Sequence, residues 1–404
     1  MTQPMNASAL LAERPLADLA RLRSRGLVVG AIGLVGMGVG FLTLDRAFFL
    51  QSYLIAFIFW LGITLGSLAL LMVQYLSGGR WGLVARRVFE ASAQNVWVMA
   101  LLFLPIAASL PILFPWARPE AANDPAIQLK AAYLNQGFFY ARAAIYFLIW
   151  MGLAFTLRLW SKEQDESAPR PLGPKSGRFG VLSGPGLVLY MITITFMSVD
   201  WIMSLEPHFT STIFGILTVG GQGLSAMAFT IFTLAALSRF KPMSEVASDE
   251  RFHDLGKLML AFVMLWAYFN VSQLIIIYQG NLPEEVPWYI NRLQGAWMPI
   301  ALAVLLGHFV LPFTLLLSRD LKRKATTLAR LAMFVLVMRV VDLVWTIGPI
   351  FRHGGTTLHW LDFACVLGIG GLWVFFFYRN LGARALVPAH DPYFKDVLVA
   401  HGGH

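Results

Sequence analysis

Arg339 and Asp342 stand three residues apart in an apolar run, a spacing that puts both side chains on one face of a helix. Charged groups in such a run are costly, so they pair with each other or line a polar path. Two readings follow: an ion pair that locks helices together, or a protonatable carboxylate on a proton or quinone route. His359 and Asp362 repeat the three-residue spacing at the start of the next apolar run. An imidazole titrates near neutrality and a desolvated carboxyl can approach it, so the pair suits a stepwise relay, although solvated interface residues are the plainer reading. Near the opposite surface, Glu90, Gln94 and Asn95 make a polar stripe, and His308 is the natural next step. A lone helical histidine is more often a core residue than a relay. Taken together, Glu90, His308, Arg339, Asp342, His359 and Asp362 form a staggered series whose gaps waters can bridge. Asn270 and Gln273 are explained by hydrogen bonding between helices.

A second group surrounds Arg142, flanked by Tyr140 and Tyr146. The tyrosines can hold its guanidinium by hydrogen bonding or ring contact, and Asp200 is the candidate carboxylate partner. The segment from Asp200 to His208 is short, aromatic and free of Lys and Arg. Headgroup anchoring accounts for Trp201. Glu206 and His208 are better explained by a docked partner or a site.

The chemistry that is missing narrows the function. Of eight histidines only His308 lies deep in an apolar run, so the matched pair of axial ligands of a membrane haem is lacking. There is no C-x-x-C-H for covalent haem and no phosphate-binding G-x-x-x-x-G-K-[ST] loop. The single cysteine, Cys365, cannot cage an iron–sulfur cluster. No metal site and no catalytic residue is assigned to this chain. In any redox role, its electrons travel on other subunits.

The elements that must position these residues are membrane spans. The 404 residues are 57% hydrophobic and 13% charged, with a mean hydropathy of +0.65. That is too little charge to cover a soluble surface. Ten runs are long enough to cross about 30 Å of hydrocarbon: 26–44, 53–76, 89–113, 136–160, 181–202, 213–237, 256–279, 296–318, 328–350 and 358–378. The expected fold is therefore all-α, a polytopic membrane domain over 26–378. It lies between an N-terminal segment, 1–25, that lacks signal-peptide features, and a tail, 379–404. Of the Lys and Arg residues, 23 fall on the side of both termini, 5 on the other and 3 within spans. The positive-inside bias puts both termini in the cytoplasm. It also assigns the net charge of +9 to anionic headgroups rather than to nucleic acid. Gly184-Pro185-Gly186 is placed to kink the fifth span. No internal sequence repeat is evident.

Two long stretches resemble a known family. Ser198 to Gly215, S-V-D-W-I-M-S-L-E-P-H-F-T-S-T-I-F-G, and Lys130 to Trp150, K-A-A-Y-L-N-Q-G-F-F-Y-A-R-A-A-I-Y-F-L-I-W, look like the ActF subunit of bacterial alternative complex III. His390-Asp391-Pro392 is similar to the family's aspartate–proline tail, after which the sequence departs from it. The resemblance implies an NrfD-like subunit of two four-helix bundles plus two flanking helices, in the bacterial inner membrane. It implies a quinol:electron-acceptor oxidoreductase of a respiratory or photosynthetic chain, in which this chain is not catalytic alone. The haem c groups and iron–sulfur clusters would sit on a multihaem cytochrome c and an iron–sulfur protein, beside a sister NrfD-like subunit. Membrane scaffold, quinone binding from the quinone pool and proton conduction are the roles it attaches to this subunit. Arg142, Tyr146, Asp200, Trp201, Glu206 and His208 become its motif residues. From another class, a secondary transporter would gather Arg142, Arg339 and Asp342 around a midplane substrate, with broken helices at matching places in two halves. A pure scaffold is the third reading.

Overall fold

The computed structural model describes residues 16–166, 177–352, 358–388 and 390–391. Ten helices are long and apolar enough to cross a membrane: α1 Ala17–Thr43, α2 Arg46–Ser77, α3 Trp81–Ala107, α4 Gln136–Glu166 and α5 Arg178–Leu205, then α6 Phe214–Leu237, α7 Asp249–Gly280, α8 Gly295–Leu317, α9 Ala325–Ile350 and α10 Trp360–Gly382. No strand occurs among the described residues. This is an all-α, multi-pass membrane protein.

Several boundaries differ from the hydropathy runs. α4 and α7 continue as helix into polar sequence beyond the apolar core. α3 stops at Ala107, short of residue 113, because Pro111 has no N–H to give the Ala107 carbonyl. The Tyr140 hydroxyl donates to that carbonyl instead, at 2.9 Å. α3 is also interrupted at Gln94 and Asn95. Gln94 donates to the Ala154 carbonyl and Asn95 to the Trp373 carbonyl, so the polar stripe fastens the break to α4 and α10. Pro185 causes no break, since the helix runs from Arg178 to Trp201 around it.

The helices pack as two rings of four. In the first, α2 touches α3, α3 touches α4, α4 touches α5, and α5 returns to α2; α6 to α9 repeat the same order. Because α2 and α6 are four crossings apart, the two rings run in the same direction. One up-down-up-down bundle is thus built twice, from halves without visible sequence similarity. α2 and α6 meet at the centre, with 89% and 83% of their apolar windows buried.

α1 and α10 form an antiparallel pair flanking this core, with α10 against α2. The backbone of Gly30 meets that of Gly371, and Gly33 meets Gly368. A Cβ at Gly30, Gly33 or Gly371 would strike the facing backbone, so only glycine permits the contact there, and one at Gly368 would meet the Met37 sulfur. The start of α1 and the end of α10 therefore lie at one end of the molecule, the terminal end, together with the loops after α2, α4, α6 and α8. The loops after α1, α3, α5, α7 and α9 lie at the far end.

Candidate functional site

The interior of the second bundle holds the densest polar group that lacks full pairing. α8 changes from α-helix to a π-helical turn over Val304–Val310. Pro312 cannot donate an N–H to residue 308, which favours a wider turn there. The turn sends His308 inward, fully buried. Its ring meets the Trp266 indole edge-on at 4.4 Å, and Nδ1 lies 3.9 Å from Asp342 Oδ2. Neither ring nitrogen has a hydrogen-bond partner among the described residues.

Asp342, on α9, pairs with Arg339 one turn earlier and accepts from Trp266 Nε1 at 3.3 Å. A Cβ on Gly221 of α6 would collide with the Arg339 guanidinium, so that glycine makes the space the arginine occupies. A cavity of about 40 Å³ opens beside Arg339 and Asp342, lined also by Thr218, Trp266, Asn270 and Gln273. That is room for about three waters. The side-chain oxygen of Gln273 is buried without a partner among the described residues, so the cavity and the imidazole both present unsatisfied polar atoms. Such atoms are rare in native interiors and point to water or a ligand. Asn270 spends its amide on the Trp266 carbonyl of its own helix. Asp342 lies eight residues from the far end of α9, a depth of about 12 Å.

Glu90 belongs elsewhere. It accepts from Ser161 at 2.7 Å, Tyr75 at 3.3 Å, Arg87 at 2.8 Å and Arg384 at 3.1 Å. Arg87 and Arg384 also grip Asp165, and Arg86 holds Asp391 at 2.7 Å. Glu90 is therefore a saturated anchor at the terminal end of the first bundle, where it ties the chain after α10 to α3 and α4. It shares no partner with His308, so the expected step from one to the other is replaced by His308 to Asp342.

The His359–Asp362 relay is likewise replaced. His359 caps α10: its Nδ1 accepts from the Leu361 N–H, while Asp362 accepts from the His359 backbone N–H. The charged partner of Asp362 is Arg352, which donates to both carboxylate oxygens at 2.6 and 2.9 Å, and Ser52 adds a third donor. Arg352 in turn lies against the Phe48 ring.

Arg142 meets the partner chosen from sequence. Its Nε and Nη2 each donate to one oxygen of Asp200 at 2.9 Å, and Tyr146 donates to the same carboxylate at 2.7 Å. The rings on the guanidinium are Tyr133 and Phe138, at 3.8 and 4.3 Å, rather than Tyr140 and Tyr146. Trp201 is no headgroup anchor. It is fully buried, stacked on Phe103 at 4.5 Å and on Phe147. In the loop after α5, Glu206 accepts from Arg292 at 3.0 Å, and His208 sits 2.9 Å from Asp124. Arg292 is fully buried, donating also to the carbonyls of Trp288 and Thr346. Burial pushes its pKa down, and Glu206 opposes that shift. For Asp124, burial pushes upward, but the N–H groups of Ile127 and Ala126 and the ring of His208 outweigh it and lower the pKa.

Sequence reasoning misses Arg87, Arg292 and Arg352, which lie outside the apolar runs, and Arg384, which lies in the C-terminal tail. Only Arg87, one helical turn from Glu90, carried a local signal. The π turn had a signal too, in Gly307 and Pro312 around His308.

Among known proteins, the chain matches no protein-family model and no curated protein sequence. The fold and site together define a class: a ten-span helical membrane protein with a duplicated bundle and a buried His–Asp–Arg group in its second half.

Proposed function

We propose that the chain is the ActF-like membrane subunit of a quinol-oxidising electron-transfer complex of the alternative complex III type. In this reading it lies in a bacterial cytoplasmic membrane with both termini cytoplasmic. It supplies scaffold and a proton route through His308 and Asp342, and the redox centres belong to its partners. The observation that carries the reading is that the two family-like stretches, far apart in sequence, meet in space. Arg142 from the first grips Asp200 from the second, and Lys130 donates to the Pro207 carbonyl at 2.6 Å. The two-bundle architecture with a flanking pair agrees with what the resemblance implies.

The transporter reading is weaker on two counts. A cavity of about 40 Å³ holds water rather than a solute. The break in α3 falls in the second helix of its bundle and the π turn of α8 in the third of the other, so they are not a matched pair.

Extraction of the tagged chain in mild detergent decides between them. The expected product is a haem-rich assembly with a multihaem cytochrome c and an iron–sulfur protein, competent in quinol oxidation. A colourless single-chain species that moves a solute would replace this reading with the other.

Sidedness is tested by thiol labelling in a Cys365→Ser background. His208→Cys should react from the periplasm and Lys324→Cys should not; the opposite pattern reverses the topology. Lys322 is unsuited to this test because it is only 7% exposed.

A further inference from the structure

A groove outside the polar sites opens between α6 and α9 at the terminal end, with a volume of about 440 Å³. Ala235 and Ala329 line it, Phe232 and Met333 stand on opposite helices deeper in the span, and Arg239 and Arg330 line its terminal end. Both arginines are exposed. Neither takes part in an ion pair or hydrogen bond among the described residues, whereas Arg86, Arg87 and Arg384, at the same end of the molecule, are each matched to a carboxylate. The small alanines leave a channel between helices where larger residues would have closed the seam. The local design is a cationic mouth over an apolar slot running toward the membrane interior.

We infer that this groove binds one anionic phospholipid, its phosphate diester on Arg239 and Arg330 and an acyl chain between Phe232 and Met333. Charge complementarity selects the occupant. Two unpaired guanidinium groups call for a phosphate, which each can meet with paired donors. The apolar slot directly beneath calls for a chain attached to it. A free anion would satisfy the arginines alone and leave the slot uncovered. A zwitterionic lipid would fill the slot but bring a cationic headgroup amine to a mouth that already holds two guanidinium groups. The level of the groove also fits, because Arg239 lies two residues beyond the end of α6 and Arg330 five residues into α9, where long side chains reach the headgroup layer. The inference needs only the membrane setting and does not depend on the electron-transfer reading.

The test uses the full chain in the assembly extracted with it, reconstituted with spin-labelled phosphatidylglycerol or phosphatidylcholine, reading the fraction of motionally restricted label. Wild type should hold phosphatidylglycerol selectively. Each of Arg239→Gln and Arg330→Gln should lower that selectivity by about fivefold, the effect of one basic side chain near an anionic headgroup, and the two together by about twenty-five-fold. Ala329→Trp, which fills the slot, should abolish the restricted phosphatidylglycerol signal with both arginines intact. Arg319→Gln, exposed at the same end but outside the groove, should change nothing and controls for general surface charge. Unchanged selectivity in the double variant overturns the inference. So does full retention of phosphatidylglycerol in Ala329→Trp, which would leave only a phosphate-attracting surface. A photoreactive side chain at position 333 should crosslink to lipid. Crosslinking to another polypeptide would show the groove to be a protein contact and would overturn the lipid assignment.

Discussion

Asp200→Ala is expected to remove most of the folded chain from the membrane. The substitution strands Arg142, which is 6% exposed, with two guanidinium donors unmatched, and it also leaves the Tyr146 hydroxyl without its acceptor. Breaking a buried pair by deleting one partner costs about 3–5 kcal/mol. Total stabilities are only about 5–15 kcal/mol, so that loss is a large share. The penalty comes mainly from the orphaned charge, so removing the whole group should cost far less. The triple variant Arg142→Met, Tyr146→Phe, Asp200→Leu should recover most of the thermal midpoint measured by size-exclusion chromatography after heating in detergent. Asp200→Ala with a wild-type midpoint would show that Arg142 reaches water or another anion, and the pair would lose its structural importance. The triple variant matters for function as well. In the proposed complex, quinol oxidation that survives around an apolar plug would limit Arg142 and Asp200 to architecture.

That pair was legible in the sequence because hydrocarbon leaves few alternatives. An arginine deep in a span needs an anion at similar depth, and Asp200 was the carboxylate available at the same end. Arg339 and Asp342 were legible for a more local reason, their three-residue spacing on one helix. The ten spans followed from length and hydropathy, and their ends shifted wherever polar sequence stayed helical or a proline ended the ladder early. The pairings that were not legible are those made between a span and a loop. Arg352 and Arg384 look like ordinary flanking charges, and only the folded chain brings one onto Asp362 and the other onto Glu90. Neutralised in this way, Glu90 and Asp362 drop out of any continuous relay. The duplication of the bundle was hidden for a different reason. Packing order is kept by helix length and loop length, which place no demand on residue identity.

What remains of the proposed proton route is the His308–Asp342–Arg339 group, and Asp342→Asn is expected to separate its two readings. The change nearly keeps volume and one acceptor while removing the titratable carboxyl. As a relay, Asp342 would exchange protons with His308, 3.9 Å away, and with the waters that the cavity of about 40 Å³ it lines can hold. The complex proposed above should then assemble with the haems expected on its partners and lose proton translocation. A positioned side chain contributes about 10²–10⁴-fold to proton transfer, so coupled turnover should fall by about tenfold or more even where water substitutes in part. His308→Gln should do the same. Because neither ring nitrogen is hydrogen-bonded among the described residues, that replacement breaks no hydrogen bond, gives up only the ring contact with Trp266, and should leave assembly intact. The structural reading predicts otherwise for Asp342→Asn alone, namely weak assembly caused by the uncompensated charge on Arg339. The double variant Arg339→Met, Asp342→Leu resolves the ambiguity, since it removes the pair without leaving a charge behind. If the pair is only a lock, this variant should recover both assembly and proton-to-electron ratio in reconstituted vesicles. If the pair conducts, it should recover assembly and still move no protons. An assembled double variant with a normal ratio and rate would end the proton role of Asp342.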